Sequence, residues 1–190
     1  KAADGIVSGQ ADSPGSPCPE GMVFIQYSEG EFCIDKFEVS ARGDCPYADP
    51  QNQSETRVNL DYAGCMPVSE EGAQPWRFIS QDQARIACAK AGKRLPTNDE
   101  WFAAALGTPD SGNTWTKDDC QVANNWGKQP GPAGSGRNCI SSAGAYDMIG
   151  NVWEWVKGAA REGVYENKEL PDSGFVHSTD GTSLPAESHP

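Results

Sequence analysis

Seven cysteines in 190 residues constrain this chain more than any other feature. A reducing cytosol seldom tolerates so many thiols, and no paired CxxC spacing offers a zinc ligand set, so disulfides are expected. Six of the seven bracket turn-rich stretches in sequence order: Cys18 with Cys33, Cys45 with Cys65, and Cys120 with Cys139. Read as local staples, they leave Cys88 as a small buried hydrophobe.

A fold stapled in this way can carry long loops, and the composition agrees. Glycine (21) and proline (14) together approach a fifth of the chain while apolar residues reach only 37%, so irregular backbone should outweigh regular elements. The length suits one domain with tails, or a domain whose end is missing.

The formal charge of −12 repels nucleic acid and anionic membrane surfaces, and no basic run offsets it. Nucleic-acid binding is therefore not expected, whereas cations or a basic partner are compatible with such a surface. Only two histidines occur, His177 and His189, both in the C-terminal tail, so no histidine cluster for zinc, copper or iron is expected. No stretch approaches the roughly 20 apolar residues of a membrane span. The opening residues, KAADGIVSGQADSPGSP, lack the basic and apolar regions of a signal peptide and read as an already processed N-terminus. With the cysteines, this places the chain outside the cytoplasm: secreted, periplasmic or on the cell surface. The triplet Asn52-Gln53-Ser54 is a glycosylation acceptor only where the cell glycosylates secreted chains.

Residues 1–17 are small, polar and rich in proline and glycine, as in a linker or disordered arm. The runs Met22–Tyr27 and Phe32–Val39 are strand-like, and Ser28-Glu29-Gly30-Glu31 between them signals a hairpin. Ser40–Trp76 reads as a turn-rich surface loop. Ser80 with Gln83 forms a capping box before a helix near 81–91, ended by Gly92. Thr97 with Glu100 opens a second helix near 98–106. Trp101, Trp153 and Trp155 are candidate core residues, since alternation from Asn151 would put Trp153 and Trp155 on one face and Val152 with Glu154 on the other.

The ordered blocks FCIDKFEVS (32–40), WRFISQDQARIACAKAGKRLPTNDEW (76–101), ANNWG (123–127) and YDMIGNVWEW (146–155) resemble the formylglycine-generating-enzyme (sulfatase-modifying-factor) superfamily. The resemblance covers residues 18–158, leaving 159–190 as a loop-rich C-terminal segment. It implies a C-type-lectin-like α+β fold: a small twisted antiparallel sheet, two short helices and many loops.

In Asp147-x-x-Gly150-x-Val152-x-Glu154, two carboxylates bracket a glycine turn, so side-chain and backbone oxygens can converge as a hard divalent cation requires. The residues alone leave a second reading open, in which both acids cap turns or form ion pairs. The resemblance implies the first: a calcium site built from the side chains of Asp147 and Glu154 and the carbonyls of Gly150 and Val152. A second calcium site implied by the family would use Asn124 and the carbonyl of Asn125, but residues 127–139 supply no acidic ligand to it.

The resemblance also implies what chemistry to look for. Oxidase members bind copper through two cysteines beyond the GNVWEW-like block, whereas the last cysteine here is Cys139. Relatives that form carbon–sulfur bonds use an iron site with three histidines, which this chain does not offer. Asp35 and Glu38 read as structural rather than as a general acid–base pair. The expectation is a non-catalytic extracytoplasmic module that binds a protein or glycan, or joins a larger assembly. The competing expectations are an oxidase whose copper cysteines lie outside this sequence, and a diversified ligand-display protein of the lectin-like fold.

Overall fold

The computed structural model describes residues 16–41, 44–110, 114–122, 125, 130–158, 160–161, 164–165 and 168–169. The expected arm at 1–17 lies outside these residues except for its last two. Most of the segment 159–190, with both histidines, lies outside them as well.

Strand β1 (Met22–Tyr27) alternates buried and open positions, with Val23 and Ile25 fully buried, as a strand with one face on a core must. It pairs antiparallel with β2 (Gly30–Asp35), Tyr27 opposite Gly30, so the hairpin turn is only Ser28-Glu29. The second strand stops at Asp35, short of the expected Val39. There the chain turns away: the Lys36 N–H donates to Gly21 O and Tyr146 N–H donates to Lys36 O. After the turn, β3 (Val39–Ser40) pairs antiparallel with β4 (Val68–Ser69).

Between them lies a helix that the loop reading of Ser40–Trp76 did not anticipate, α1 (Gln53–Asp61). Its cap is Asn52, whose Oδ1 accepts from Glu55 N–H at 2.9 Å. Its buried residues are Thr56 and Asn59, both polar, so no apolar stripe marks it in the sequence. Each has partners: Thr56 Oγ1 donates to Phe78 O and accepts from the Trp76 indole, and Asn59 both donates to and accepts from the Tyr47 backbone.

The two expected helices are present, α2 (Gln81–Lys90) and α3 (Asn98–Ala105), each with a reciprocal capping box, Ser80–Gln83 and Thr97–Glu100. The small alanine face of α3, Ala103 and Ala104, lets the helix lie close against Val23 and Ile25, with Ala143, Ala145 and Met148 completing this core. Fully burying an aliphatic side chain such as Ile25 is worth about 1.5–3 kcal/mol. A second cluster joins Ala41, Cys65, Trp76 and Ala87. Farther on, β5 (Ala160–Arg161), β6 (Val164–Tyr165) and β7 (Lys168–Glu169) form an antiparallel meander. No helix among the described residues is long and apolar enough to cross a membrane.

All three local disulfides form as expected: Cys18–Cys33, Cys45–Cys65 and Cys120–Cys139. The first closes a sequence separation of 15, for which chain entropy predicts a contribution of about 3 kcal/mol. Cys88 remains a free, half-buried thiol, and burial followed by the charge of Asp35 pushes its pKa up against the pull of Lys93. A thiol held protonated is a weak nucleophile, in keeping with a packing role.

Candidate functional site

The segment 146–152 has little secondary structure of its own and is held from three directions. Tyr146 N–H reaches Lys36 O, Asp147 N–H reaches Cys139 O beside a disulfide, and Asn151 N–H reaches Gln121 O, at 2.9, 3.0 and 2.9 Å. Tyr146 also stacks on Phe37, ring centroids 5.0 Å apart. These anchors fix a turn containing Asp147 (φ 57°), Gly150 (φ 81°) and Asn151 (φ 55°), all left-handed. Two of the three non-glycine residues with positive φ among the described residues thus fall in one short segment, a strain of order 1–3 kcal/mol each that surrounding contacts must sustain. At Gly150 a Cβ would sit 2.4 Å from Gln121 O, so neither the conformation nor the space admits a side chain.

Asp147 is 1% exposed. Its Oδ2 accepts from Gly134 N–H at 2.5 Å, while its Oδ1 is buried and has no hydrogen-bond partner among the described residues. Native structures rarely leave a buried carboxylate oxygen orphaned. Burial pushes the Asp147 carboxyl up to about 6, opposed by the Gly134 N–H. Glu154 is half-buried and accepts from the Trp101 indole N–H through Oε2. Burial raises it to about 7, opposed by the Trp101 bond and reinforced by the charge of Asp147.

A third acid belongs to the same neighbourhood. Glu38, only 7% exposed, accepts from Asn151 Nδ2 at 2.5 Å and from Val152 N–H at 3.2 Å. Burial lifts its carboxyl well above the usual range, and the charges of Asp147 and then Glu154 lift it further. Sequence reasoning treated Glu38 as a strand residue and missed this. The available signal was an acid between Phe37 and Val39 in the strand-like run Phe32–Val39, where burial demands a partner.

These residues fit a hard cation in one respect and limit it in another. The orphaned Asp147 Oδ1 wants a positive partner, and no described residue donates a hydrogen bond to the carbonyls of Gly150 or Val152. Yet no three acidic, histidine or cysteine side chains among the described residues lie close enough to hold a metal by themselves. A cation here would depend on backbone oxygens and water as well.

The remaining candidates part company. Trp101 packs against the first core, and the Trp155 indole N–H donates to Ile79 O at 2.8 Å. Trp153, expected in the core, is 57% exposed. The alternation behind that expectation fails because residues 151–156 form no strand. Of the second calcium pair, Asn124 lies outside the described residues. The Asn125 side chain is committed to its own loop, accepting from Val122 N–H and donating to Thr116 O and Cys120 O, each at 2.8 Å. Asp35 pairs with Lys93 at 2.5 Å, a structural use.

Residues 24–182 match the family profile described as the sulfatase-modifying factor enzyme 1-like domain. The chain is 33% identical over 130 residues to the bovine (Bos taurus) protein named inactive C-alpha-formylglycine-generating enzyme 2, covering 61% of this chain and 43% of that one. It is 32% identical over 114 residues to hercynine oxygenase of Mycobacterium tuberculosis, covering 56% and 26%. It is 38% identical over 103 residues to formylglycine-generating enzyme of the same organism, covering 46% and 34%. The chain thus spans less than half the length of the curated relatives it matches. No solved structure matches it.

Proposed function

Because this chain belongs to the sulfatase-modifying factor enzyme 1-like family, whose profile covers residues 24–182, we propose that it is a non-catalytic, extracytoplasmic binding or assembly module stabilised by calcium. The observation that supports this reading is the buried Oδ1 of Asp147, which no described residue satisfies. The ligands proposed with it are also oxygens: the Glu154 carboxylate and the carbonyls of Gly150 and Val152. Hard oxygen ligands suit calcium, whereas copper in its reduced state prefers thiolates.

Six of the seven cysteines are consumed in disulfides, and the seventh, Cys88, carries a raised pKa. The three disulfides also support an oxidising compartment. One relative carries the word inactive in its name, which accords with a family fold used without catalysis. The partner is a protein or a glycan, and the half-exposed Trp153 beside the candidate cation loop is an apt anchor for either.

The 38% identity to a formylglycine-generating enzyme favours a second reading, an oxidase whose copper cysteines lie outside these residues. Incubating the product of the complete gene with copper and a cysteine-containing sulfatase-type peptide separates the two. The module reading expects no formylglycine in the peptide by mass spectrometry, together with retention of a native protein or glycan that Trp153→Ala weakens. Formylglycine formation by that product would overturn it.

A further inference from the structure

We propose that Glu38 is a positioning residue for the candidate cation loop, its carboxylate clamping the Asn151 side-chain amide and the Val152 N–H from across the fold. This inference rests on the calcium reading of that loop. Glu38 lies just before β3, 113 positions from Asn151 in sequence, yet its two oxygens take Asn151 Nδ2 at 2.5 Å and Val152 N–H at 3.2 Å. The clamp falls on a left-handed residue, since Asn151 holds a φ of 55°, which asparagine adopts more readily than most side-chain-bearing residues and which the contact helps to hold.

Asn151 is gripped from the other side by Gly131, whose N–H donates to Asn151 Oδ1 at 2.9 Å and whose carbonyl accepts from Nδ2 at 3.2 Å. The amide orientation is therefore fixed, with Nδ2 toward Glu38. Gly131 N–H is itself shared with Gln121 Oε1 at 2.8 Å, and Gln121 O receives the Asn151 N–H. Glu38 closes this network, and no described residue donates to the Gly150 or Val152 carbonyls.

A clamp needs acceptors, and the two Glu38 oxygens supply one to the Asn151 amide and one to the Val152 N–H.

Calorimetric titration of the full chain with calcium chloride, beside melting temperatures in calcium and in chelator, tests this. Glu38→Gln keeps the acceptor for Val152 N–H but sets an amide donor against Asn151 Nδ2 and removes the charge. Asn151→Gly releases the clamp from the other end while keeping the left-handed backbone accessible. Each substitution is expected to raise the calcium Kd about tenfold, and the double variant about as much as either one, since neighbours in one network are not additive. An unchanged Kd in Glu38→Gln, equal melting losses with and without calcium, or fully multiplicative effects would each overturn the positioning role. Absence of calcium binding by the unsubstituted chain would instead bring down the calcium reading and this inference with it.

Discussion

Gly134 and Asp147 share a 2.5 Å hydrogen bond, backbone N–H to Oδ2, that occupies one oxygen of a buried carboxylate and leaves Oδ1 without a hydrogen bond among the described residues. Gly134 can approach so closely because it has no side chain; a Cβ would lie 2.7 Å from the Phe37 ring, and its φ is 75°. The bond therefore aims Asp147 without satisfying it. Both Phe37 and Glu38 belong to the crossing from β2 to β3, so one short segment packs the loop and clamps it.

The turn itself should tolerate little change. Gly150→Ala is expected to destabilise the protein by more than about 2 kcal/mol, because it adds a contact of 2.4 Å with Gln121 O to the cost of φ 81°. Gly72→Ala, at φ 77° but in open space, should cost only about 1 kcal/mol. Urea unfolding of the two variants checks this, and equal losses would mean that the packing around Gly150 is not limiting.

Stability without calcium should fall as pH rises through the weakly acidic range. Asp147 and Glu154 stand at about 6 and about 7 in the folded chain, above their ordinary 3.8 and 4.5. Between about pH 4 and 7 the folded state therefore holds more protons than the unfolded one, which makes the slope of stability against pH negative. Glu100, lowered by its bonds to Arg94 and Thr97, acts in the opposite sense but below that window. In chelator, the melting temperature at pH 5 should exceed that at pH 8 by several degrees, and saturating calcium should flatten the trend. A melting temperature in chelator that is level or rising over this range would contradict the burial of these acids.

The cysteines give a contrast within one chain. Cys88→Ser should cost under about 1.5 kcal/mol, because the thiol is half-buried and unpaired with another cysteine. Replacing Cys45 and Cys65 together by serine should cost about 2–4 kcal/mol, since that bond closes a separation of 20 and joins the second core. Chemical denaturation orders the two, and a reversal of that order would show that Cys88 does more than pack.

What could be read from sequence followed from local rules. Ser80–Gln83 and Thr97–Glu100 are short-range capping patterns, and each opens a helix. The disulfides bracket loops of 15 to 20 positions, so nearest-neighbour pairing was sufficient. What escaped depended on tertiary partners. Helix α1 buries Thr56 and Asn59 against the Phe78 carbonyl and the Tyr47 backbone, which hydrophobic periodicity cannot register. Trp153 is exposed because the anchored turn ends the alternation that a strand would have imposed. Asp147 and Glu154 were legible as a motif, but Glu38 joins them through contacts spanning more than 110 positions.

A calcium ion held, as proposed, by Asp147 Oδ1 and neighbouring oxygens would stabilise the fold. The direct measurement is the melting temperature of the unsubstituted chain and of Asp147→Ala, each at pH 7.5 in calcium and in chelator. A ligand bound only by the folded state at about one hundred times its Kd adds about 2.7 kcal/mol, or roughly 5–10 °C for a chain of this size. That rise is expected for the unsubstituted chain and none for Asp147→Ala; no rise in the former, or an equal rise in both, would contradict calcium binding at Asp147.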